Sequence, residues 1–401
     1  MIQSLRGMND ILESQRFEYF IEVATKIAKN YGFSYIETPL LEETALFKRS
    51  VGESSDIVGK EMYQFIDKGE NDVCLRPEGT AGVVRAFVQS KFDKAGGTYK
   101  FFYHGPMFRY ERPQKGRLRE FHQFGVESFG EGSVYEDATM IMMIADIFNA
   151  LGIGYRLKLN SLGDSNCMPQ YRESLVSFLD ECIEEICEDC QRRKSTNPIR
   201  VLDCKSEKCQ TLYVNAPKLL NNLCSVCNDD FENLKKILTS NNINFEIDNH
   251  LVRGLDYYSK TAFEFVSDNI GAQSAIAGGG RYDRLVEFLD GKATPAVGFA
   301  IGIERLLELI TMPETVRDGY YFGAMDDEAV ELVISLAQAK RKTEKATVSY
   351  KSRNLKTHLK NADKANAQYC AIIGENEFKE NKIWVKNLDE KTEQIIPISE
   401  I

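Results

Sequence analysis

Apolar positions keep a helical period at the start of the chain and turn to alternation further on, and that change of period sets out the first elements. From 14 to 30, Phe17, Phe20, Ile21, Val23, Ala24 and Ile27 keep the helical spacing, and Asn30-Tyr31-Gly32 supplies a stop. A strand-like run, FSYIETPLLE, follows; Pro39 inside it removes a ladder donor and predicts an edge or an interface. VCL is a short strand, and the helix-like TAGVVRAFVQS opens at the end of Arg76-Pro77-Glu78-Gly79-Thr80. Between 100 and 130, two runs rich in Phe, Tyr and Val flank the polar loop RPQKGRLRE, which predicts an antiparallel hairpin. Alternation gives this hairpin two faces. Tyr103, Gly105, Met107, Arg109 and Glu111 share one with Phe121, Gln123, Gly125 and Glu127; Phe102, Pro106, Phe108, Phe124 and Val126 share the other. The second face reads as core. On the first, Arg109, Glu111, Gln123 and Glu127 project together over a floor of Gly105 and Gly125, either as a solvated face with cross-strand ion pairs or as a site.

An apolar helix is predicted over 134–151 and a strand over 155–162. From about 168 to 248 the pattern is helical and acidic, and it holds seven of the ten cysteines: Cys182, Cys187, Cys190, Cys204, Cys209, Cys224 and Cys227. Cys187-Cys190 and Cys224-Cys227 are CxxC pairs with zinc-ligand spacing, and Cys204 and Cys209 lie between them as further candidates; helical proteins also carry such pairs as plain thiols. Next come LVRGLDYY at 251–258 and AGGGRYD at 277–283, which bracket the strand-like TAFEFVS. Three glycines in a row more often mark a turn than a phosphate cradle, but Arg253, Tyr257, Tyr258, Arg281 and Tyr282 beside them offer charge and hydrogen bonds. GFAIGIERLLELI, 298–310, is a short strand turning into a helix. After a boundary at 311–319, strands and helices alternate through YYFGAM, ATVSY, YCAIIG and KIWVKNL, the pattern of an α/β domain.

At 401 residues the chain is long enough for two or three domains, and 43% apolar with 27% charged residues is an ordinary globular composition. The N-terminus lacks an apolar signal core and no run reaches the length of a membrane span, so a cytoplasmic location and reduced cysteines are expected. A net charge of −10 argues against indiscriminate coating of nucleic acid, DNA included, while leaving room for a local basic site. Such a window lies at 340–364, where nine Lys and Arg face only Glu344 and Asp363; it is either a solvated helix face or an RNA-binding surface. Arg112, Lys115, Arg117 and Arg119 in the hairpin loop suit a phosphate-bearing partner. Glu78 and Thr80 at a helix entrance either cap the helix or meet a ligand.

Phe108-Arg109-Tyr110-Glu111 followed by RPQKGR resembles motif 2 of the class II aminoacyl-tRNA synthetases, in the wording of the histidyl-tRNA synthetases. RPEGT, LVRGLDYY and AGGGRYD resemble histidine-binding signatures of that family, GFAIGIERLLELI resembles motif 3, and the first helix with the Pro39 strand resembles motif 1. The resemblance covers nearly the whole chain. It implies an α+β fold: a class II antiparallel sheet flanked by helices over 1–316, a helical insertion at about 168–248, and a C-terminal α/β anticodon-binding domain over 317–401. It implies a ligase that activates L-histidine with ATP, giving histidyl-adenylate and pyrophosphate, and passes the histidine to the 3′ end of tRNA(His). Mg²⁺ would accompany ATP, and the chain would act as a homodimer. By the same resemblance Arg253 and Arg109 are catalytic cations at the α-phosphate. Glu78, Thr80, Gln123, Glu127, Tyr258 and Tyr282 bind histidine. Arg109, Glu111, Arg117, Phe121 and Arg305 bind ATP, with Phe121 and Arg305 on either side of the base. Arg112 and Gln114 read the acceptor end of the tRNA. Zinc is not general in the family, and no metal site in the chain follows from the resemblance. The chain also closes soon after its last strand, without the terminal helix of many relatives, so the rim of the last domain is expected to differ. Two other readings carry the same fold: a silent histidine-binding paralogue that regulates ATP phosphoribosyltransferase, and an RNA-sensing module of the kind attached to kinases. The first lacks an anticodon domain and loses cations of the kind that Arg109, Arg253 and Arg305 represent; the second would need a kinase segment.

Overall fold

A computed structural model describes residues 2–12, 14–52, 55, 57–204, 206–252, 255, 257–270, 275–314 and 316–401. The chain divides into two compact units, Met1–Met312 and Pro313–Ile401. The first is built on an eight-stranded sheet. Across it the strands run Ser34–Tyr35, Tyr99–Phe108, Glu120–Phe129, Ala296–Gly302, Ala275–Arg281, Ser259–Val266, Arg156–Ser161 and Glu246–Ile247. The six long strands are antiparallel to their neighbours, and only the two-residue strands at the edges pair in parallel.

The predicted hairpin is present, with Tyr103 opposite Gly125 and Gly105 opposite Gln123. Its apolar face is core, as alternation indicates: Phe102, Phe124 and Val126 join one cluster with the helices Gln15–Asn30 and Val134–Ala150. Truncating a fully buried ring such as Phe124 would cost about 3–5 kcal/mol. Val134–Ala150 is buried nearly all round because it lies between the sheet and other helices, which is why its sequence shows little amphipathic contrast. Ser133 caps it by accepting the Tyr135 N–H at 3.3 Å.

The hairpin's other face is not simply charged. Tyr103, Met107 and Phe129 are buried there in a second cluster with Val83, Val84 and Phe87 of the helix Thr80–Gln89. Arg109 and Glu111 lie beyond the strand, in the connection to Glu120. FSYIETPLLE is not one strand: Ser34–Tyr35 edges the main sheet, Leu41–Glu43 joins a separate three-stranded sheet, and exposed Pro39 sits in the break. AGGGRYD is a strand as far as Arg281, not a glycine loop, because the missing Cβ atoms let Phe299 and Phe263 close over Gly279.

The segment expected as an insertion is helical, with Met168–Glu181, Glu188–Thr196, Glu207–Tyr213 and Ser225–Ser240. Tyr171, Leu175 and Leu179, one face of the first helix, bury in a small core of their own. The last helix belongs elsewhere: its Phe231, Leu234 and Leu238 pack into the main core. The second unit is a five-stranded sheet in the order Ala346–Val348, Tyr320–Ala324, Tyr369–Ile373, Lys382–Asn387 and Glu393–Pro397. The first three strands are parallel, and helices Val330–Lys340 and Leu355–Lys364 supply the crossovers.

Candidate active site

Register places small residues side by side. Gly125, Ala300 and Gly278 stand opposite one another on consecutive strands, and Gly302 stands opposite Gln123. Ala300, Gly278 and Gly302 thereby floor a cavity of about 240 Å³. Of the floor expected from the hairpin, Gly125 is covered by the Tyr103 ring and Gly105 lies against Arg76, so neither is open.

One part of the wall is acidic and rich in hydroxyls. Glu78 lines it and also caps the helix Thr80–Gln89, accepting the backbone N–H groups of Thr80 at 2.7 Å and Ala81 at 2.9 Å. The capping reading of that carboxylate is therefore realised, and the same carboxylate stands at the cavity wall. Glu127 lies one layer behind the lining, 1% exposed. It accepts from the Thr80 hydroxyl at 2.7 Å and the Tyr103 hydroxyl at 3.2 Å, and Tyr282 donates to its other oxygen. Gly298, opposite Glu127 in register, leaves the space this carboxylate fills. Burial raises the Glu127 carboxyl to about 8, against the pull of its three hydroxyl donors, and Glu78 nearby raises it further. Burial likewise raises Glu78, opposed by the two N–H groups and by Arg109. Gln123 lines the cavity with its Oε1 buried and, among the described residues, without a hydrogen-bond partner. A buried acceptor left in this way at a cavity wall is a ready contact for a ligand.

Cations line another part of the wall. Arg109, Arg117 and Arg305 all line the cavity. Arg109 donates to the Pro77 carbonyl at 2.9 Å, with its guanidinium 5.2 Å from the Phe121 ring centre. Arg305 donates to the carbonyls of Gly116 at 2.9 Å and Ala275 at 2.7 Å. Arg117 is ion-paired to Glu111 at 2.6 Å, so two residues expected to meet ATP hold each other here. Burial lowers the Arg305 guanidinium, and the charges of Arg117 and Arg109 lower it further. The three cations repel one another around one hollow; Glu111 and Glu264 offset part of that repulsion, and a further anion in the hollow would offset more.

Not every expected residue joins this set. Arg281 is turned into the protein, bonded to Asp137 and Asp283 and to the carbonyls of Glu131 and Ser133, so its charge is structural. Tyr258 lines the cavity, whereas Tyr282 lies behind the lining, bonded to Glu127 and packed edge-on against Tyr257 and Tyr258. Arg112 and Gln114 are exposed on the hairpin loop, whose turn is closed by backbone bonds between Gln114 and Arg117. Arg253 lies outside the described residues. Sequence reasoning missed the role of Tyr103 on Glu127, and it missed the wall carboxylates Glu264 and Glu304. Glu304 accepts from the His122 backbone N–H at 2.8 Å and contacts its ring, fastening the start of the 303–306 helix to the hairpin. Tyr103 had a signal, its parity with Glu127. Glu304 had none, because its partner is far away in sequence.

Comparison with known proteins bears on the family and the fold. A family profile described as histidyl-tRNA synthetase matches residues 7–306, and one described as anticodon binding domain matches 315–401. The chain is 74% identical to a histidine–tRNA ligase of Sulfurimonas denitrificans over 99% of both chains, and 64% identical to one of Sulfurovum sp. over 100% of both. The crystal structure of apo S. aureus histidyl-tRNA synthetase, 35% identical, superposes with a TM-score of 0.83 over 100% of this chain and 98% of that one. With a class II catalytic unit, an anticodon-binding unit and relatives of this identity along its whole length, the chain belongs to the histidyl-tRNA synthetase family.

Proposed function

We propose that this chain is a histidine–tRNA ligase that forms histidyl-adenylate from L-histidine and ATP in the cavity and then transfers histidine to tRNA(His). The observation that carries the reading is the pairing, around one hollow, of the cluster Arg109, Arg117 and Arg305 with the carboxylate Glu78, backed by Glu127 one layer behind. The cations suit a triphosphate, and the carboxylates with their hydroxyls suit an amino group and an imidazole.

Adenylate formation needs the histidine carboxylate in line with the α-phosphorus and neutralisation of the charge that grows there. Arg109, already held by the Pro77 carbonyl, contacts both the α-phosphate and the histidine carboxylate, and Arg253 is the second cation at that phosphate. Fixed donors of this kind need little reorganisation as charge develops. Phe121 and Arg305 enclose the base, and Glu111 receives its amino group. Glu111 must first release Arg117, which turns to the terminal phosphates, so ATP exchanges one ion pair for two contacts. Mg²⁺ enters with ATP as part of the substrate and neutralises its phosphates; Glu264, a hard oxygen donor on the wall, suits it.

Histidine is read at both ends. Glu78, Thr80 and Gln123 take the amino group. Tyr258 and Glu127 take the imidazole, Glu127 with Tyr103 and Tyr282 behind it. An analogue lacking a ring nitrogen strands a buried polar group, a penalty that supports discrimination of about ten-thousandfold without editing. Exposed Arg112 and Gln114 meet the acceptor end. In the second unit Lys356, Lys360 and Lys364 stand on one face of the helix Leu355–Lys364 and are offered to the anticodon arm. A second copy of the chain covers the exposed Tyr35, Leu40 and Leu41 in a twofold interface. The working place is the cytoplasm; among the described residues no helix is long and apolar enough to cross a membrane.

Histidine-dependent exchange of pyrophosphate into ATP by the purified protein tests the reading. Exchange that requires histidine supports it. No exchange, with histidine still bound, would favour the silent regulatory paralogue.

A further inference from the structure

The two CxxC pairs do not meet each other. Cys187 and Cys190 converge with Cys204 and Cys209, and Cys224 and Cys227 converge with Cys167 and Asp164; in each group one ligand atom per residue lies within 4.8 Å of all the others. We propose that the insertion holds two structural Zn²⁺ ions, one bound by Cys187, Cys190, Cys204 and Cys209 and the other by Asp164, Cys167, Cys224 and Cys227. The spacing alone left these residues open between zinc ligands and plain thiols, with no metal site assigned.

Zinc with four ligands is tetrahedral, and at a Zn–S distance of about 2.3 Å the edge of a sulfur tetrahedron is about 3.8 Å. The Sγ atoms of Cys187 and Cys204 are 3.7 Å apart, too long for a disulfide and matched to that edge. The spacing, two residues within one pair and four within the other, is also that of a structural zinc site. Buried thiols alone would be ordinary small core residues. Here the backbone also donates to the sulfurs: Cys187 N–H to Cys209 at 3.2 Å, Ser206 N–H to Cys204 at 3.4 Å, and Cys224 N–H to Cys167 at 3.1 Å. Such bonds spread the charge of metal-bound thiolates. In the second group the Asp164 carboxylate, fixed by the N–H groups of Asn166 at 2.9 Å and Cys167 at 3.2 Å, is packed among three thiols where an apolar neighbour would be expected.

The places in the chain explain what the ions would do. Cys167 immediately precedes the first helix of the insertion, and Cys224 immediately precedes Ser225–Ser240, the helix that returns to the main core. The second site therefore ties the two ends of the insertion together, closing a long loop whose ordering is otherwise entropically costly. The first pins Glu188–Thr196, which buries only Cys190, to Glu207–Tyr213, which buries only Cys209 and Tyr213. Each ion binds thiolates, so loading releases the thiol protons to solvent and no redox change is involved.

The test is the metal content of the full-length protein purified under reducing conditions without chelator, read by elemental analysis and by release of zinc to a chromogenic chelator on thiol modification. The expected result is two zinc ions per chain, each lost singly in Cys190→Ser and Cys227→Ser, with intense thiolate-to-metal absorption after Co²⁺ replacement. The wild-type measurement stands even if a variant fails to fold. Retention of both ions in Cys227→Ser would overturn the second site. Metal-free protein with freely reacting thiols that takes up no Co²⁺, disulfides within the clusters, or iron in place of zinc would each overturn the assignment.

Discussion

The cavity and the insertion both bury groups that are unfavourable without partners, but they hold them in different ways. In the cavity, sheet register fixes Glu127 opposite Gly298 and brings Tyr103, Thr80 and Tyr282 to it from three other segments. The protein supplies that carboxylate with three hydroxyl donors and sets Arg109, Arg117 and Arg305 along the neighbouring hollow. In the insertion, short helices and turns bring thiols together beside a separate apolar core that includes Tyr171, Leu175, Leu179 and Val201. The difference teaches where function can vary. A group held by the sheet can be altered with the fold intact and should report on substrate, whereas a group holding the insertion should report on stability.

The largest effect expected is on the cations. Arg109→Ala and Arg253→Ala should each slow adenylate formation about a hundredfold or more in single turnovers while the melting temperature stays near wild type. Unchanged rates would take that residue out of the catalytic set. Next, Glu127→Ala should raise the histidine concentration needed for half-maximal exchange by at least about tenfold while barely moving the ATP requirement. Equal losses for both substrates would mean that Glu127 supports the sheet and does not read the ring, which would break the comparison at its centre. In the insertion, removing metal with a strong chelator should lower the melting temperature by more than about 5 °C and leave the histidine requirement of the surviving protein unchanged.

Acid and base sharpen the contrast further. The Glu127 carboxyl is raised from 4.5 to about 8, so between those values the folded chain keeps a proton that the unfolded chain has lost. Its contribution to stability therefore falls as pH rises through that window. Glu127→Gln should flatten the pH dependence of the melting temperature there; an unchanged profile would show that Glu127 is already ionised in the fold. The smallest effect belongs to the second unit. Lys356→Ala and Lys360→Ala should weaken tRNA binding severalfold and reduce its salt dependence, with pyrophosphate exchange unaffected. A loss of exchange would place those lysines in a role other than holding RNA.

Periodicity and spacing in the chain determined the hairpin, the apolar helix 134–150, the helical character of the insertion and the strand–helix alternation after Pro313. These rest on local rules, in which a period of 3.6 or 2 settles which face is buried. The family was legible too, because Phe108-Arg109-Tyr110-Glu111 and RPQKGR form one contiguous string. What only the tertiary structure decided depends on partners distant in sequence. Alternation put Tyr103 on the same face as Glu127 but did not show that its ring would close over Gly125 and reach the carboxylate. Nothing in AGGGRYD tells that Arg281 turns inward to Asp137, since a cation beside a glycine run reads equally well as a ligand contact. The CxxC spacing marked candidates but not their grouping: Cys224 and Cys227 meet Cys167, 57 residues before Cys224, and not the other pair. Short-range order is written in neighbouring residues, whereas the partner of a buried charge or thiol is chosen by how the elements pack.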